Sequence, residues 1–351
     1  MASLTQTAYL ARKIIKFGSI GLVFLIIFRV LYLNFKTYWK KTHPPAPPAP
    51  TTAFGKLPKL SFPEQKNLPN LTIKLENISG VLPKLADQAK VFFMPKASSN
   101  LLAWDKTKVW ARSLGFSFDP QATGEFTYRF TTDTSPKTVL DVDVLTRNFT
   151  LVYDWQNDLQ ILSAGNPPQE DQCISSARSF LQNADVLVDD LVQGKSEVSY
   201  QKYDNGNLAK ALFFSEANFA LVNLFRNDID NLKVLPPNPK QSNIYVRLSA
   251  AKDRSRSIIE IRYIHFPVSW DNFATYPLKD ATSAWNSLKS GAGYVANLGN
   301  NPEGNILIRN VYLAYYDNDR HQDFLQPIIV FEGDNDFFAY VPAISDSWTV
   351  Q

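Results

Sequence analysis

The chain has almost no cysteine or histidine. With Cys173 as the single cysteine among 351 residues, it can form neither an internal disulfide nor a cysteine-based zinc site. Its three histidines include no pair on one helix face, which excludes a histidine-pair zinc motif. The glycine-rich loops that cradle phosphates and the G-x-S-x-G turn of a serine nucleophile are also missing. These absences remove several common classes of enzyme and metal site.

Acidic residues are missing from the first 49 positions, which hold seven basic residues. The remaining chain holds 29 basic and 33 acidic residues. The net charge of +3 and the isoelectric point near 8.7 therefore come from the N-terminal arm. Because the larger part of the chain is slightly acidic, the sequence does not indicate a nucleic-acid-binding protein.

Residues 17–35, "FGSIGLVFLIIFRVLYLNF", form a long hydrophobic run in which Arg29 is the only charge. Its thirteen Leu, Ile, Val and Phe residues contribute about −4 to −8 kcal/mol to insertion, against about +2.5 to +3.5 kcal/mol for a central arginine. We therefore predict one transmembrane helix after a short cytoplasmic tail at 1–16. Arg29 either snorkels to the interface or pairs with an acidic residue in a partner's helix. Basic residues flank both ends equally, so charge alone does not orient the span.

A proline-rich segment follows, and residues 36–69 are predicted to be an extended linker that holds a domain off the membrane. His43 lies inside it and is expected to be solvated.

From residue 70 onward, the pattern of one helix followed by several alternating strands occurs three times. It predicts an α+β fold of three modules at 70–165, 166–270 and 271–351, each with a helix on an antiparallel sheet. The apolar helix stripes comprise Ala103, Thr107, Trp110, Ala111 and Leu114; Ile174, Ala177, Leu181 and Ala184; and Ala281, Ala284, Trp285 and Leu288. Asp280 is the predicted N-cap of the third helix, and residues 244–268 are predicted to form a hairpin that turns at 252–256.

The last of these units resembles the PepSY-like module of YycH/YycI-type regulatory proteins across residues 280–344. The residues that carry the resemblance are Ala284-Trp285, Tyr315-Tyr316, Pro327-Ile328 and Tyr340-Val341-x-Ala343. Residues 103–116 look like a weaker copy of the same module. The resemblance implies a membrane anchor followed by an extracytoplasmic domain.

Asp317, Asp319 and Asp323 form a D-x-D-x-x-x-D pattern with His321 between them. The pattern resembles a calcium loop, but Gln322 replaces the required glycine and Ile328 the closing glutamate. We therefore interpret residues 317–326 and 333–336 as polar turns between strands. A low-affinity calcium site at the three aspartates is the alternative. His265 shares a strand face with Ile259, Ile261 and Tyr263 and is expected to be a satisfied core histidine.

These observations lead to the expectation of a non-enzymatic, single-pass cell-membrane protein without a cofactor. Its extracytoplasmic domain would bind a protein or peptide at exposed strand edges and so regulate or scaffold a cell-envelope complex. One alternative is a structural, self-associating surface protein. Another is a calcium-dependent ligand binder or envelope hydrolase that uses residues 317–323.

Overall fold

The computed structural model describes residues 4–42, 48–65, 67–98, 102–117 and 119–350. It divides into two units, residues 1–49 and residues 50–351, and the second is called the body here. His43 lies outside the described residues.

The first unit contains one long helix, α1 (Leu4–Thr42). Its segment Thr7–Trp39 is long and apolar enough to cross a membrane, and none of its most apolar stretch is buried in protein. The helix extends past both ends of the predicted span at 17–35. It includes Arg29 and residues 36–42, which had been assigned to the linker. The N-terminal helix therefore has the length and composition of a membrane anchor.

The body combines short helices with antiparallel sheets, which confirms the α+β prediction. Its helices, within the described residues, are α2 (Ala103–Ser113), α3 (Leu159–Leu162), α4 (Glu170–Asn183), α5 (Asp189–Val192), α6 (Arg254–Ser257) and α7 (Ala281–Lys289). Its strands there are β1 (Thr72–Leu75), β2 (Gln88–Phe93), β3 (Gln121–Ala122), β4 (Thr127–Thr131), β5 (Thr138–Asp143), β6 (Phe149–Tyr153), β7 (Ser196–Asp204), β8 (Asn207–Lys210), β9 (Phe219–Leu224), β10 (Lys233–Leu235), β11 (Ile244–Ser249), β12 (Ile258–Tyr263), β13 (Ser269–Pro277), β14 (Tyr294–Asn297), β15 (Asn305–Tyr316), β16 (Phe324–Leu325), β17 (Pro327–Gly333) and β18 (Phe338–Pro342).

Nine strands form one antiparallel sheet in the order β3-β4-β5-β6-β12-β11-β9-β7-β8. Helices α2 and α4 both pack on it, since Ala111 and Leu181 join a single core cluster with strand residues such as Leu140 and Val246. The predicted hairpin is present, because β11 and β12 pair antiparallel across the 250–257 turn. The first two predicted modules thus share one sheet, joined where β6 pairs with β12.

A second sheet contains the C-terminal strands in the order β1-β15-β17-β18-β14, with β10 also paired to β15. Helix α7 covers one face through Ala284 and Leu288, and the Asp280 carboxylate accepts a hydrogen bond from the Ser283 amide at 2.6 Å, as an N-cap does. A third, small sheet has the order β13-β2-β16. Residues 317–323 and 334–336 lie between strands as predicted, but Phe324–Leu325, which the sequence placed in the first turn, form β16, and Gly333 ends β17.

The predicted modules, with boundaries at residues 70 and 270, do not correspond to separate sheets. Strand β1 runs parallel to β15, with Thr72 opposite Asn305, and β2 pairs with β13 and β16. Residues 72–93 therefore belong to the C-terminal sheets, although they had been assigned to the first module. Strand β10, assigned to the second module, also pairs with β15. Both shifts follow from pairing between segments more than 80 residues apart, which local periodicity does not encode.

Residues 51–65, called the strap here, lie along the body, whereas the sequence predicted a free linker. The side chain of Leu57 is fully buried, and its backbone bonds to Trp348 and Val350 at 2.8 and 2.9 Å. Phe62 stacks on Tyr294 with ring centroids 4.9 Å apart. The apolar residues among the prolines explain the difference, because they have a core to enter.

Candidate functional site

The acidic loop after β15 directs its aspartates to different cations. Asp317 contacts Arg226 at 2.9 Å and Asp319 contacts Arg262 at 2.9 Å. Asp323 pairs with Lys96 at 3.2 Å. No group of three or more His, Cys, Asp or Glu side chains that could hold a metal ion occurs in the part of the chain that the structure describes.

The two histidines of the body have different surroundings. His321 lies edge-on to the Phe266 ring, with centroids 5.5 Å apart. His265 is almost buried, and its Nε2 lies 3.0 Å from the Asp190 carboxylate. His265 is therefore packed beside a carboxylate, whereas His321 is packed against an aromatic ring.

Arg226 is the centre of a buried ion network between the nine-stranded sheet and the C-terminal sheet. Its side chain is 4% exposed, and its guanidinium donates to Asp190 at 2.8 Å, to Asp317 at 2.9 Å and to the Phe266 carbonyl at 3.1 Å. Asn243 adds a hydrogen bond to the Asp317 carbonyl at 2.8 Å. The network therefore fixes the end of β15 to α5, which contains Asp190, and to the segment after β9, which contains Arg226.

Burial and charge compete at these groups. Burial alone would raise the pKa of Asp190, but the hydrogen bond to His265 and the charge of Arg226 hold that pKa below its ordinary value. Burial would likewise lower the pKa of Arg226, and the charges of Asp317 and Asp190 raise it instead. The charges of Asp190 and Arg226 are thus stabilised by their neighbours.

Sequence reasoning missed Arg226 and Asp190. The signal available was an arginine two positions after "FALVNL", a strand in which five of six residues are apolar and all six are buried. A charge that follows a fully buried strand is placed at the end of the core, where it needs a partner.

Next to this network, an open cleft of about 570 Å³ separates the two sheets. Its lining includes Gln193, Gly194, Lys195, Glu197, Phe225, Arg226, Asn227, Asp228, Lys233, Val234, Leu235, Pro239, Lys240, Tyr312, Glu332 and Phe338. The nine-stranded sheet contributes the start of β7 and the residues after β9. The C-terminal sheet contributes β10, β15, β17 and β18.

One wall of the cleft combines an aromatic ring with charges of both signs. The Lys233 Nζ lies 5.2 Å from the centroid of the Tyr312 ring. Burial raises the pKa of Tyr312, and the nearby charge of Glu332 raises it further. The phenol therefore keeps its proton and can donate a hydrogen bond. Lys240 lies 5.7 Å from the Phe338 ring and pairs with Asp336. This wall can contact both apolar and polar groups of a ligand.

Beside the cleft, one edge of β15 is only partly paired. Strand β1 pairs with residues 305–308 and β10 pairs with residues 314–316 on the edge opposite β17. Among the described residues, no strand pairs with 309–313 on that edge. The gap is five residues long, and Tyr312 belongs both to it and to the cleft. An open edge of this kind offers backbone groups to an added strand.

Cys173 is fully buried and its thiol donates to the Pro168 carbonyl at 3.1 Å. Burial raises the pKa of this thiol to about 11, so it stays protonated and unreactive at neutral pH.

No protein-family model matches the chain, and no curated protein matches it. Several solved structures show a distant similarity, and two examples follow. One is an uncharacterized protein from Eubacterium rectale, with 12% identity, a TM-score of 0.33, and coverage of 76% of this chain and 85% of that one. The other is the C-terminal domain of YpeB from Bacillus megaterium, with 12% identity, a TM-score of 0.30, and coverage of 72% of this chain and 95% of that one. These similarities carry no functional argument, and the YycH/YycI resemblance stays a prediction.

Proposed function

We propose that this protein is a membrane-anchored, non-enzymatic binding protein whose body takes up an extended segment of a partner protein. The observation that carries the proposal is the gap at 309–313 on the edge of β15, with the cleft beside it. An added strand would form main-chain hydrogen bonds with the gap, and its alternate side chains would meet the cleft wall.

The chemistry of the wall favours a segment of mixed character. Tyr312 and Phe338 suit an aromatic or aliphatic side chain, whereas Lys233 and Glu332 suit charged or hydrogen-bonding groups. Because β1 and β10 both run parallel to β15, the partner strand is expected to run in the same direction. Five residues of pairing give modest affinity by themselves, so the side-chain contacts supply the specificity.

The biological role we attach to this binding is the regulation or scaffolding of a cell-envelope complex, with the body on the extracytoplasmic side. The resemblance of residues 280–344 to YycH/YycI-type modules supports that role. Within the membrane, Arg29 is the proposed contact with an acidic residue of the partner's own helix.

The test is site-specific photocrosslinking of the full-length protein in its native membrane. A photoreactive residue replaces Lys233 in the cleft, and the matched control replaces Thr282, which is exposed at the start of α7. We expect a defined partner adduct at position 233 and none at 282. Equal adducts at both positions, or adducts only between copies of this chain, would contradict the proposal. The second result would favour the self-associating surface protein instead.

A second variant separates the body from the span. Replacing residues 17–35 with an unrelated transmembrane helix should leave the adduct at 233 intact if the cleft recognises the partner. Loss of the adduct in that variant would assign recognition to the span and Arg29.

A further inference from the structure

Strand β14 is the last strand of the C-terminal sheet, and no other strand within the described residues pairs with its outer edge. At that edge the side chain of Gln65 takes the place of a strand. Its carboxamide nitrogen donates to the Val295 carbonyl at 2.9 Å, and its carboxamide oxygen accepts from the Val295 amide at 3.2 Å. A residue of an added antiparallel strand would make the same two bonds, because a carboxamide has the donor and the acceptor of a peptide group.

An aromatic contact three residues earlier in the strap completes this arrangement. The Phe62 ring stacks on Tyr294, the residue before Val295, with centroids 4.9 Å apart and ring planes within 6° of parallel. The Phe62 centroid also lies 4.8 Å from that of Tyr316, which belongs to the same apolar cluster. The two tyrosines therefore form an aromatic site beside the edge of β14. Edge and rings together suit an extended peptide that carries an aromatic side chain and, three residues later, a carboxamide.

The segment that fills this site is held less deeply than the chain on either side. Leu57 is fully buried, and β1 begins at Thr72. Among the described residues between these two, no side chain is fully buried; Phe62 and Gln65 are half-buried, and most of the others are exposed. The segment is therefore fastened at both ends and can lift in between, because lifting it exposes little apolar surface.

Two main-chain contacts also hold the segment. The Asn318 side chain donates to the Ser61 carbonyl at 3.1 Å, and the Gln326 side chain donates to the Pro58 carbonyl at 2.9 Å. Both acceptors are backbone groups, which any peptide lying along the same path also offers. These contacts therefore favour a peptide as the ligand without restricting its side chains.

We infer that residues 58–65 are a lid over a second peptide-binding site, formed by the edge of β14 at Val295 and by the rings of Tyr294 and Tyr316. The ligand is an extended peptide with an aromatic side chain and, three residues later, a glutamine. The lid is a copy of that ligand bound within the same chain, so an incoming peptide binds by displacing it. None of these three residues lines the cleft, and the inference does not depend on the proposed function.

The test adds a fluorescent peptide with the sequence of residues 58–65, PKLSFPEQ, to the full-length protein in detergent micelles. The double variant Phe62→Ala and Gln65→Ala loosens the lid. Lys59→Ala is the matched control, because Lys59 is exposed in the same segment. Fluorescence anisotropy should show saturable binding to the double variant. Binding to the control and to the unaltered protein should be about tenfold weaker, because an intact lid competes at a high effective concentration.

Two further measurements locate the site. Adding Tyr294→Ser to the double variant should abolish binding, and a peptide with alanine at the Phe62 and Gln65 positions should not bind. In the unaltered protein, the Val295 amide should exchange its hydrogen faster than the Val330 amide of the central strand β17, because lifting the lid frees only the first.

Absence of saturable binding to the double variant would overturn the inference, as would equal binding to all three proteins. Binding that survives Tyr294→Ser would place the peptide elsewhere and would also overturn it. The hydrogen-exchange result needs no altered lid, so equally slow exchange of the two amides would show by itself that the lid does not lift.

Discussion

Replacing Arg226 with methionine should destabilise the body strongly. The change removes the cation from a site where the side chains of Asp190 and Asp317 are only 15% and 10% exposed. Breaking a buried pair by removing one partner costs about 3–5 kcal/mol, because the charge left behind is poorly solvated and has lost its arginine counter-ion. With an unfolding entropy of about 2.1 cal/mol/K per residue, a body of about 300 residues should lose roughly 5–8 °C in melting temperature.

The assay is thermal unfolding of the full-length protein in nanodiscs, followed by tryptophan fluorescence and calorimetry. Arg129→Met is the matched control, because Arg129 also pairs with an aspartate, Asp141, but the two side chains are 48% and 35% exposed. Exposed pairs contribute little, so this control should change the melting temperature far less.

A combination variant identifies the cause of the loss. Adding Asp190→Asn and Asp317→Asn to Arg226→Met removes both uncompensated charges, so most of the lost melting temperature should return. If Arg226→Met melts no lower than Arg129→Met, the reasoning about the buried network is refuted. If the combination melts lower still, the carboxylates stabilise the body in a way that does not depend on their charge balance.

Three further predictions concern other parts of the body. Leu57→Ala should lower the free energy of unfolding by about 2–5 kcal/mol, because it leaves a cavity at a fully buried site. Limited proteolysis should then cut within residues 51–65, and unchanged protease resistance would contradict the role of the strap. Tyr340→Phe should cost about 1–2 kcal/mol in chemical denaturation, because it leaves the buried Pro236 carbonyl, 3.2 Å from the phenol oxygen, without that donor. The lowered pKa of Asp190 contributes stability at pH values above 3.8, the ordinary pKa of the group, and this stability is lost as the pH falls below 3.8. Asp190→Asn should therefore flatten the acid side of a plot of melting temperature against pH. An unchanged slope would argue against the shift.

Local patterns were sufficient to predict the three longer helices of the body and the hairpin, but not the single-turn helices α3, α5 and α6. The stripes around Ala111, Leu181 and Leu288 correspond to α2, α4 and α7, because a helix that covers a sheet must repeat its apolar residues every three or four positions. The 244–268 hairpin was predictable for a similar reason, since alternation and a short turn are both local features.

Distant pairing was not predictable from these patterns. Strand β1 is four residues long and pairs with a strand more than 230 residues later, so its sequence alone cannot identify its partner. The strap was missed because proline density indicates extended chain but does not say whether the leucines between the prolines are buried.

The candidate site was predicted only in part. The carboxylates of the 317–323 loop were found because acidic residues cluster there, but their partners Arg226, Arg262 and Lys96 come from distant segments. The cleft and the gap in β15 depend on how two sheets meet. They were not predictable because no single stretch of sequence contains them.

The strap also determines how the body would bear a mechanical load. Residues 51–57 are the first part of the body after the N-terminal helix in the sequence. Leu57 forms backbone hydrogen bonds with Trp348 and Val350 at the other end of the body. The two ends of the body are therefore fastened to each other. Tension transmitted along the chain from the anchor would act first on these few hydrogen bonds and on buried Leu57.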